Sequence, residues 1–547
     1  MLAATAREAA LQAVAQVAVE STSLVSYRSQ GRLLIIGDAD QALTLGAQLK
    51  KHALHCHVLA WGEGLDQAQA DLPTVFIRRA QTVEIVGHLG QFTVTMRSEA
   101  NDLNVAQAIG SDSDHFDLIL DLDVPAHLQW DTLPLGYFAP RGNSVELDRA
   151  LTELPEFTGE FEKATFFQYD ADICAHGARG LKGCTRCLDS CPTGAITSLG
   201  NLVTIDPYTC QGGGSCATAC PTGAIIYSFP RPADMLNRLR LLLNTYRDNG
   251  GQQPILLFHD AEAGAERLAT VAETLPDNVI PIEVEEIGSV GMDLWLAALA
   301  HGASRVLLMS TAQVAPSVQQ ELCEQLSITR VLLEGMGYPT TALELLTADL
   351  DGQNVLAGLL TGTAMPAIKP AGFAGSNSKR DVLFYAIDWL AAQTECAQPV
   401  IPLPVQAPFG EIQVNRSACT LCMACVSVCP ASALFDGGEE PKLEFLEAHC
   451  VQCGLCETAC PEDAITRQTR FLFDQQQRRR RRVLHEEAAF HCVQCGKPFA
   501  TSSMIEKMTA KLGGHWMFQD EQALNRLRMC GDCRVRDMFG EEIGGHQ

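Results

Sequence analysis

The sequence predicts a multidomain α/β protein with two α/β domains that carry parallel sheets, two small cysteine-rich domains and a cysteine-bearing C-terminal module. A chain of 547 residues exceeds what one hydrophobic core organises, so we expect several domains. Two long stretches alternate short apolar runs with helix-like segments, which is the pattern of a parallel sheet covered by helices. Nineteen of the 22 cysteines fall into three groups, at residues 174–220, 419–460 and 492–533.

The charge balance argues against nucleic acid as a partner. Asp and Glu number 65 against 40 Lys and Arg, a net charge of −25, whereas phosphate binding needs a basic surface. The first stretch, MLAATAREAALQAVAQVAVES, has no basic leader, and no uninterrupted apolar segment reaches 18 residues. We therefore expect a soluble, cytoplasmic chain without a transmembrane segment, in a compartment where reducing conditions keep thiols available for metal.

The first α/β region follows an amphipathic N-terminal helix. The apolar run RLLIIGD (Arg32–Asp38), the helix-like DQALTLGAQLKKHA and the run CHVLAWG predict a Rossmann-like β-α-β start. Its turn offers Gly37 alone where a dinucleotide fingerprint needs three glycines, so the sequence argues against bound FAD or nicotinamide. TVEIVGHLGQFTVTMR then predicts a hairpin around Gly87–Gly90.

The second α/β region lies between the first two cysteine groups. The apolar runs PILLFHD, VIPIEVEE, SRVLLMS and ITRVLLEG predict four strands, and MDLWLAALAHG predicts a helix that ends at Gly302. A linker, the helix DVLFYAIDWLAAQ and the proline-rich PVIPLPVQAPFG lead to the second cysteine group. This alternation indicates a second parallel sheet.

The second cysteine group is the most specific signal in the chain. CTLCMACVSVCP and CVQCGLCETACP each read C-x2-C-x2-C-x3-C-P. In two-cluster bacterial ferredoxins, three cysteines of such a run bind one [4Fe–4S] cube and the fourth binds the other. Zinc would suit a single C-x2-C but not two interleaved quartets. We predict one cube on Cys419, Cys422, Cys425 and Cys460, and one on Cys450, Cys453, Cys456 and Cys429.

The first cysteine group is an imperfect copy of the same unit. GCTRCLDSCPTGAI supplies Cys184, Cys187 and Cys191, but Leu181 stands three residues before Cys184. Cys174 lies further back, beyond the inserted loop AHGARGLKG, whose glycines allow the chain to fold back. By the crossover rule we predict a third cube. Its ligands are Cys184, Cys187, Cys220 and Cys174.

The stretch CQGGGSCATACPTGAI has Gly213 where the second cysteine of the run should stand. Three thiolates can hold a [3Fe–4S] centre, or a [4Fe–4S] cube whose last iron binds water or a borrowed side chain; the alternative is an empty scaffold. We expect a three-thiolate centre, because a decayed site has little reason to keep its cysteines at the correct spacing. His176 and Asp189 are candidate fourth ligands, although surface positions suit both better. The remaining thiolates are Cys210, Cys216 and Cys191.

The third cysteine group pairs FHCVQCGKPFA with LRMCGDCRV. Two C-x2-C knuckles bring four thiolates into a tetrahedron, the closed arrangement of structural zinc, so we predict a zinc-ribbon-like module. The gap of 34 residues exceeds the usual ribbon spacing of roughly 15–20 and leaves room for the helix SSMIEKMTAKLGG. Rubredoxin-type iron is the alternative, which the lack of Cys-Pro in the second knuckle disfavours. The ligands are Cys492, Cys495, Cys530 and Cys533.

With these motifs, the chain resembles the multi-cluster 4Fe-4S binding proteins of proteobacteria, which are often found with formate dehydrogenase and its accessory proteins. The likeness rests on CTRCLDSCPTGAI, CQGGGSCATACPTGA, the complete run at 419–461 and the tail FHCVQCGKPFATSSMI with RLRMCGDCRV. VGHLGQFTVT is similar to a segment of the flavin-dependent subunit of heterodisulfide reductase. The region 254–310 resembles the delta subunit of methyl-viologen-reducing hydrogenase, but FHDAEAG and VEEIGSVG stand where that subunit carries cluster cysteines.

These features predict an electron-transfer protein that passes single electrons between redox partners, with no catalytic residue of its own. The resemblance implies a larger oxidoreductase such as formate dehydrogenase as the partner. Two other hypotheses remain: an accessory or assembly factor for a molybdenum enzyme, and a flavin-dependent subunit like that of heterodisulfide reductase. The arginine run that ends at Arg482 is interpreted as a solvated helical linker rather than a docking patch for an acidic partner.

The motifs divide the chain into seven expected segments. These are the N-terminal helix (1–30), the Rossmann-like domain (31–165), the degenerate ferredoxin-like domain (166–228), the second α/β domain (229–371), a linker with a helix (372–405), the complete ferredoxin-like domain (406–468) and the arginine-rich linker with the zinc-ribbon-like domain (469–547).

Overall fold

The computed structural model describes residues 2–61, 72–77, 82–97, 102–348, 353–394, 398–438, 440–515 and 520–544. One of the scattered cysteines, Cys396, lies outside these ranges. Within them, no helix combines the length and apolar character needed to cross a membrane.

The N-terminal helix, Leu2–Ala15, packs against the helix Pro232–Asp248. Ala6, Ala10 and Val14 recur at four-residue intervals, so they lie on one face, and all three are buried in the main core. The first residues of the chain therefore stabilise the second α/β region rather than the first.

The first α/β region is built on a five-stranded, fully parallel sheet. Gly37, at the end of the central strand, approaches Leu122 so closely that a Cβ atom would lie 2.9 Å from the leucine Cβ. This glycine therefore serves packing within the sheet. In spatial order the strands are Thr74–Ile77, His55–Trp61, Arg32–Asp38, Leu118–Asp121 and Tyr137–Phe138, and the helices are Ala39–Leu49, Val105–Ile109 and Ser144–Glu153.

Two antiparallel elements flank this sheet. The predicted hairpin around Gly87–Gly90 is confirmed: Thr82–Val86 pairs with Thr93–Arg97, and Leu103–Asn104 extends the pair. Gly90 has a φ of +82° and lies against the Arg28 carbonyl, where no side chain fits. A separate ribbon joins Leu24–Ser29 to Gly159–Ala164.

The second α/β region carries a four-stranded parallel sheet, as the alternation predicts. The prediction of a strand at ITRVLLEG is wrong, because this segment is the last part of a long helix, Pro316–Gly335. Val318, Leu322, Leu326 and Leu333 continue a helical apolar period through it, and that period outweighs the local β-branched residues. In spatial order the strands are Val279–Val284, Ile255–Asp260, Arg305–Ser310 and Leu343–Thr347, and the other helices are Ala263–Val271, Met292–Ala300 and Gln353–Thr361.

The linker helix, Lys379–Ala391, joins this region to the second cysteine group. Its buried face, with Val382, Leu383 and Ile387, packs on the helix Met292–Ala300 and belongs to the main core. This packing fixes the start of the linker helix between the two cysteine-rich units.

The remaining elements are short, as suits domains organised around cysteines. We call residues 166–228 unit 1, residues 406–468 unit 2 and residues 469–547 the C-terminal module. Unit 1 contains the strands Phe167–Tyr169, Gly177–Ala178, Leu181–Lys182, Ile196–Leu199, Leu202–Ile205 and Ile225–Tyr227 and the helices Arg186–Asp189 and Ser215–Ala219. Unit 2, with the strand before it, contains Val400–Pro402, Gly410–Val414, Leu434–Gly437, Glu440–Phe445 and Ile465–Leu472 and the helices Ala424–Ser427 and Leu455–Thr458. The C-terminal module contains the strands Arg482–Glu486, Ala489–His491 and Pro498–Thr501 and the helices Gln475–Arg478, Ser502–Leu512, Glu521–Leu527 and Gly531–Gly544.

Candidate iron–sulfur and metal sites

The two cysteine loops of unit 2 share one backbone shape. In each loop, the residues immediately before and after the middle cysteine have positive φ. Alternating backbone handedness aligns successive N–H groups into a concave row that suits an anion, here the sulfides and thiolates of a cluster. The left-handed residues are Leu421 and Met423 in one loop and Gln452 and Gly454 in the other.

Cys425 and Cys456 each lie within electrostatic range of the three other cysteines that the sequence assigns to the same cluster. Burial, together with smaller contributions from the other three thiolates of its set, raises the pKa of Cys425 to about 12. Burial also raises the pKa of Cys456, again with contributions from the other three of its set and a smaller one from Cys425. Site C denotes Cys429, Cys450, Cys453 and Cys456; site D denotes Cys419, Cys422, Cys425 and Cys460.

The sulfur spacing in these sets differs from that of a single-ion site. A tetrahedral zinc with Zn–S bonds of about 2.3 Å holds its sulfurs within about 4 Å of one another. Among the described residues, the cysteines of units 1 and 2 form no group whose ligand atoms all lie within 4.8 Å, whereas those of the C-terminal module do. The wider sets of unit 2 therefore fit a cluster of several irons rather than one ion.

Protein donors already point at some of these sulfurs. The backbone N–H of Ala433 donates to Cys429 Sγ and that of Ala464 to Cys460 Sγ, each over 3.3 Å. Gln452 Nε2 donates to Cys450 Sγ, also over 3.3 Å. Hydrogen bonds to cluster sulfurs favour the reduced form, so these groups would tune a bound cluster.

The insertion in unit 1 is a closed β-hairpin. Gly177–Ala178 pairs with Leu181–Lys182, and the N–H of Cys184 donates to Ala175 O over 2.9 Å. The hairpin therefore begins and ends at one point of the chain. Cys174-Ala175 and Gly183-Cys184 lie side by side there, as the two halves of a C-x2-C run that the hairpin interrupts.

This closure places Cys174 with the cysteines that the sequence assigned to the same site. Burial raises the pKa of Cys187, and the thiolates of Cys220, Cys184 and Cys174 raise it further. Cys220 Sγ also lies 3.5 Å from the hydroxyl of Thr222. Site B denotes Cys174, Cys184, Cys187 and Cys220.

The loop around Gly213 keeps the backbone shape of a cluster loop. Gly212 and Gly214 have φ of +82° and +75°, so left-handed residues again flank the middle position, as in both loops of unit 2. Burial raises the pKa of Cys216 well above its usual value, and the thiolates of Cys210 and Cys191 contribute most among its neighbours. Site A denotes Cys191, Cys210 and Cys216.

The missing corner of site A is covered by apolar groups and backbone. A Cβ atom on Gly213 would lie 3.2 Å from Pro192 Cγ and 3.7 Å from a methyl group of Val318. Gly288 lies so close that its own Cβ would meet Gly213 O at 2.3 Å. On the other side, the N–H of Thr132 donates to Pro192 O over 3.0 Å. Both α/β regions thus enclose site A.

Neither candidate fourth ligand is available at this corner. His176 is buried, and its two ring nitrogens are engaged by Cys184 O (2.9 Å) and Ser198 Oγ (2.7 Å) on the hairpin side of unit 1. The carboxylate of Asp189 accepts a hydrogen bond from Thr185 within its own turn.

A partly buried cation lies at site A. Lys163 Nζ donates to Tyr208 O over 3.0 Å and to Cys210 O over 2.6 Å, and it lies 5.2 Å from the centre of the Tyr27 ring. Burial lowers the pKa of Lys163 to about 8, against the raising effect of Cys210 and Asp206. A positive charge here would favour electron uptake by a cluster at this site.

Units 1 and 2 touch each other at sites B and C. A Cβ atom on Gly183 would lie 2.7 Å from Leu455 Cγ, and Leu455 is fully buried. Burial is the main cause that raises the pKa of Cys184 to about 11, and the thiolate of Cys453, in the other unit, is among the neighbours that contribute to this rise. One cysteine of site B therefore lies within electrostatic range of one cysteine of site C.

The four cysteines of the C-terminal module converge as a single-ion site. Their sulfurs all lie within 4.8 Å of one another, with 3.7 Å between those of Cys495 and Cys530. Burial raises the pKa of Cys492, but backbone amides, led by that of Cys530, outweigh it and bring the pKa to about 6. A thiol ionised at neutral pH among three others fits a divalent ion such as zinc.

This module is seated on site D. Thr501 Oγ1 donates to Thr420 O over 3.1 Å, and Lys507 Nζ donates to Ala418 O over 2.5 Å. Cys422 remains exposed at the edge of a surface groove of about 650 Å³ between the site D loop and the strand Pro498–Thr501.

The arginine run is not the solvated helix that the sequence predicted. Only Gln475–Arg478 is helical, and the Arg478 side chain is buried, where it donates to Leu472 O and the carboxylate of Asp388. Arg482 pairs with the carboxylates of unit 2. Side chains at both ends of the run therefore anchor the C-terminal module, and Arg479, Arg480 and Arg481 are exposed.

Several residues that contact these sites carry no signal in the sequence. Lys379 and Arg380 lie in what reads as a polar linker, and their donor hydrogens reach the carbonyls of Cys220 and Cys450. Lys163 lies in a strand outside unit 1, more than forty residues before Cys210. Charged side chains that act across domains leave no local pattern, so only the fold reveals them.

Comparison with known proteins supports the two units. Residues 158–224 and residues 418–465 each match a family model described as a 4Fe-4S dicluster domain. Ferredoxin-1 of Caulobacter vibrioides is similar, with 43% identity over 54 residues, which are 10% of this chain and 46% of that ferredoxin. The chain thus spans about half the length of the curated relative that it matches. It contains two 4Fe-4S dicluster units of the ferredoxin type.

Proposed function

We propose that this protein relays single electrons through iron–sulfur centres at sites A to D, as a subunit or partner of a larger oxidoreductase. A bound cluster supplies a one-electron carrier. The chain supplies the thiolate ligands, the donors to sulfur, and the burial and fixed charges that tune the carriers. Sites B, C and D each offer four thiolates for a [4Fe–4S] cube, and site A offers three.

The contact between units 1 and 2 carries this proposal. The crossover of Cys191 and Cys220 links sites A and B within unit 1, and that of Cys429 and Cys460 links sites C and D within unit 2. Because Gly183 packs on Leu455, sites B and C are neighbours as well. The four sites then form one row in the order A, B, C, D, which suits a relay better than two independent pairs.

The two ends of the row differ in exposure. Cys422 of site D is exposed, whereas Gly214 of the site A loop is buried. A Cβ atom on Gly214 would lie only 2.4 Å from the Cα atom of Ser289. A redox partner therefore reaches the row at site D. At the other end of the row, the two α/β regions of the chain enclose site A.

The enclosure of site A favours a [3Fe–4S] centre there. Pro192 and Val318 offer no ligand atom to a fourth iron, and His176 and Asp189 are engaged elsewhere. We further propose zinc at the C-terminal module, where it would hold together a small domain that has little apolar core of its own.

The resemblance to proteins found beside formate dehydrogenase makes that enzyme the partner that we propose. The test mixes anaerobic, cluster-loaded protein with formate dehydrogenase and formate, and follows the bleaching of cluster absorbance. Stoichiometric bleaching supports the relay, and Cys456→Ser, which removes a ligand of site C, should lower its extent. If the full-length protein carries its iron but stays oxidised, formate dehydrogenase is not its partner. If the protein binds only to formate dehydrogenase that lacks its cofactors, it is an assembly factor.

A further inference from the structure

Two consecutive residues at the start of the linker helix bind the two cysteine-rich units. Lys379 points to unit 1, where its Nζ donates to Ala217 O (3.0 Å), to Thr218 O and to Cys220 O (3.1 Å). These carbonyls end the short helix Ser215–Ala219 and include the crossover cysteine of site B. The lysine therefore holds the backbone that presents one site B sulfur.

Arg380 points the other way, to unit 2. Its Nη1 donates to Pro408 O over 3.1 Å, and its Nη2 donates to Ala448 O over 2.8 Å and to Cys450 O over 3.2 Å. The guanidinium also lies 5.1 and 5.4 Å from the centres of two aromatic rings, those of Phe384 and Phe409. An arginine guanidinium stays protonated at neutral pH, so Arg380 carries a positive charge.

Lys379 Nζ and the two terminal nitrogens of Arg380 donate to carbonyl groups, whereas Arg380 Nε is buried without a hydrogen-bond partner among the described residues. Within the described ranges, no carboxylate comes within ion-pair distance of Lys379 or Arg380, in a chain whose net charge is −25. Glu321 acts on Lys379 and Asp381 acts on Arg380 only from beyond that distance. The lysine charge lies next to Cys220, and the arginine charge lies next to Cys450. A fixed positive charge near a cluster favours the form with one more electron.

The linker helix cannot shift independently of either unit. Its face with Leu383 and Ile387 is buried in the main core, so the backbone of its first turn is fixed. A rigid first turn with one side chain in each unit sets the distance between the two units. The contact of Gly183 with Leu455 joins the same two units.

We propose that Lys379 and Arg380 position sites B and C against each other and raise the reduction potentials of both, so that they control the electron step between the units. This inference rests on the proposed relay function. In that step one electron leaves the reduced cluster at one site and is taken up by the oxidised cluster at the other. No bond is made or broken, and no proton or co-reactant is needed.

The test compares Lys379→Met with Lys369→Met, a matched control that removes the same charge from an exposed lysine. Full-length proteins are purified anaerobically, and iron and sulfide are counted first. EPR-monitored redox titration then gives the midpoint potentials, and pulse radiolysis gives the rate of internal electron transfer. We expect unchanged iron, a lower midpoint potential at site B, whose crossover cysteine Lys379 contacts, an unchanged potential at site D and transfer slowed several-fold, with Lys369→Met like the wild type.

Wild-type potentials and transfer rate in an iron-replete Lys379→Met protein would overturn the inference while leaving the relay intact. Absence of iron from the wild-type protein would instead overturn the proposed function. Where Lys379→Met fails to retain iron, Arg380→Lys decides, because it keeps the charge with fewer donors. Slower transfer at unchanged potentials then supports the positioning role, and wild-type transfer overturns it.

Discussion

The backbone N–H of Cys184 donates to the carbonyl of Ala175 over 2.9 Å, although eight residues separate the two in the sequence. This bond closes the inserted hairpin and returns the chain to the place where a shorter ferredoxin loop would continue. Cys174 thereby takes the position of the first cysteine of the run. The insertion is a side branch of the loop, and Cys174 stays within electrostatic range of Cys187 despite it.

Deletion of residues 176–182 should therefore preserve iron at site B. The deletion joins Ala175 to Gly183 and creates the run Cys-Ala-Gly-Cys, which is an uninterrupted C-x2-C. We expect the same iron content per chain as in the wild type, measured after anaerobic purification. Cys174→Ser in the full-length protein should lower it, because a ligand is lost. A deletion variant that lacks about four irons would show that the hairpin itself is needed to hold a cube.

The substitution Gly213→Cys should complete site A. Gly213 does not have a positive φ, and a Cβ atom there meets Pro192 Cγ at 3.2 Å, so a small shift of the proline ring accommodates the side chain. We expect one additional iron per chain and loss of the EPR signal of an oxidised three-iron centre. An unchanged iron count with the signal retained would mean that the loop does not present position 213 to the cluster.

Removal of one ligand from the C-terminal module should release zinc and leave iron untouched. Cys533→Ser breaks the set of four converging sulfurs without touching units 1 and 2. We expect loss of about one zinc per chain in elemental analysis. Cys323→Ser, at an exposed position on the helix Pro316–Gly335, is the control and should retain zinc. Loss of one iron instead of zinc would identify a rubredoxin-type site.

Stability should depend on the protonation of Glu321, whose Oε1 accepts a hydrogen bond from Gln325 over 2.7 Å. Burial raises the pKa of Glu321 from 4.5 to about 7. The folded chain thus keeps this proton up to about pH 7, while the unfolded chain releases it near pH 4.5, so folding stability falls as pH rises between these values and stays lower above pH 7.

The substitution Glu321→Gln keeps the shape of the side chain and removes its charge. We expect a stability gain of about 1–3 kcal/mol at about pH 8 and almost none at about pH 4.5, measured as the shift in urea unfolding at constant m. Glu334→Gln, on an exposed position of the same helix, should gain nothing at either pH. An equal gain at both pH values would mean that the effect does not come from the carboxylate charge.

The sequence predicted the parts of the protein that are set by local pattern. The cysteine spacings located both dicluster units, since a cube needs thiolates at fixed short gaps. The alternating apolar runs predicted two parallel sheets, and turn glycines predicted the hairpin around Gly87–Gly90. Each of these sequence patterns lies within a few residues of the structural element that it predicts. A single sequence is therefore enough to recognise them.

What the sequence could not predict depends on contacts between distant segments. ITRVLLEG reads as a strand by its β-branched residues, yet packing along twenty residues makes it the end of a helix. Arg478 reads as part of a solvated run, yet its partner Asp388 lies ninety residues earlier. The proximity of sites B and C could not be predicted either, because no sequence motif links Gly183 to Leu455.

Metal counting combined with EPR tests whether the chain holds one continuous row of four iron–sulfur centres. Anaerobically purified protein should contain about 15 irons, as three cubes and one three-iron centre. As isolated it should show an oxidised three-iron signal, and after full reduction the spectra of the cubes should be broadened by spin coupling, including coupling between units 1 and 2. About 8 irons, with the coupling of a single two-cluster unit alone, would contradict the row and leave unit 2 as an isolated ferredoxin.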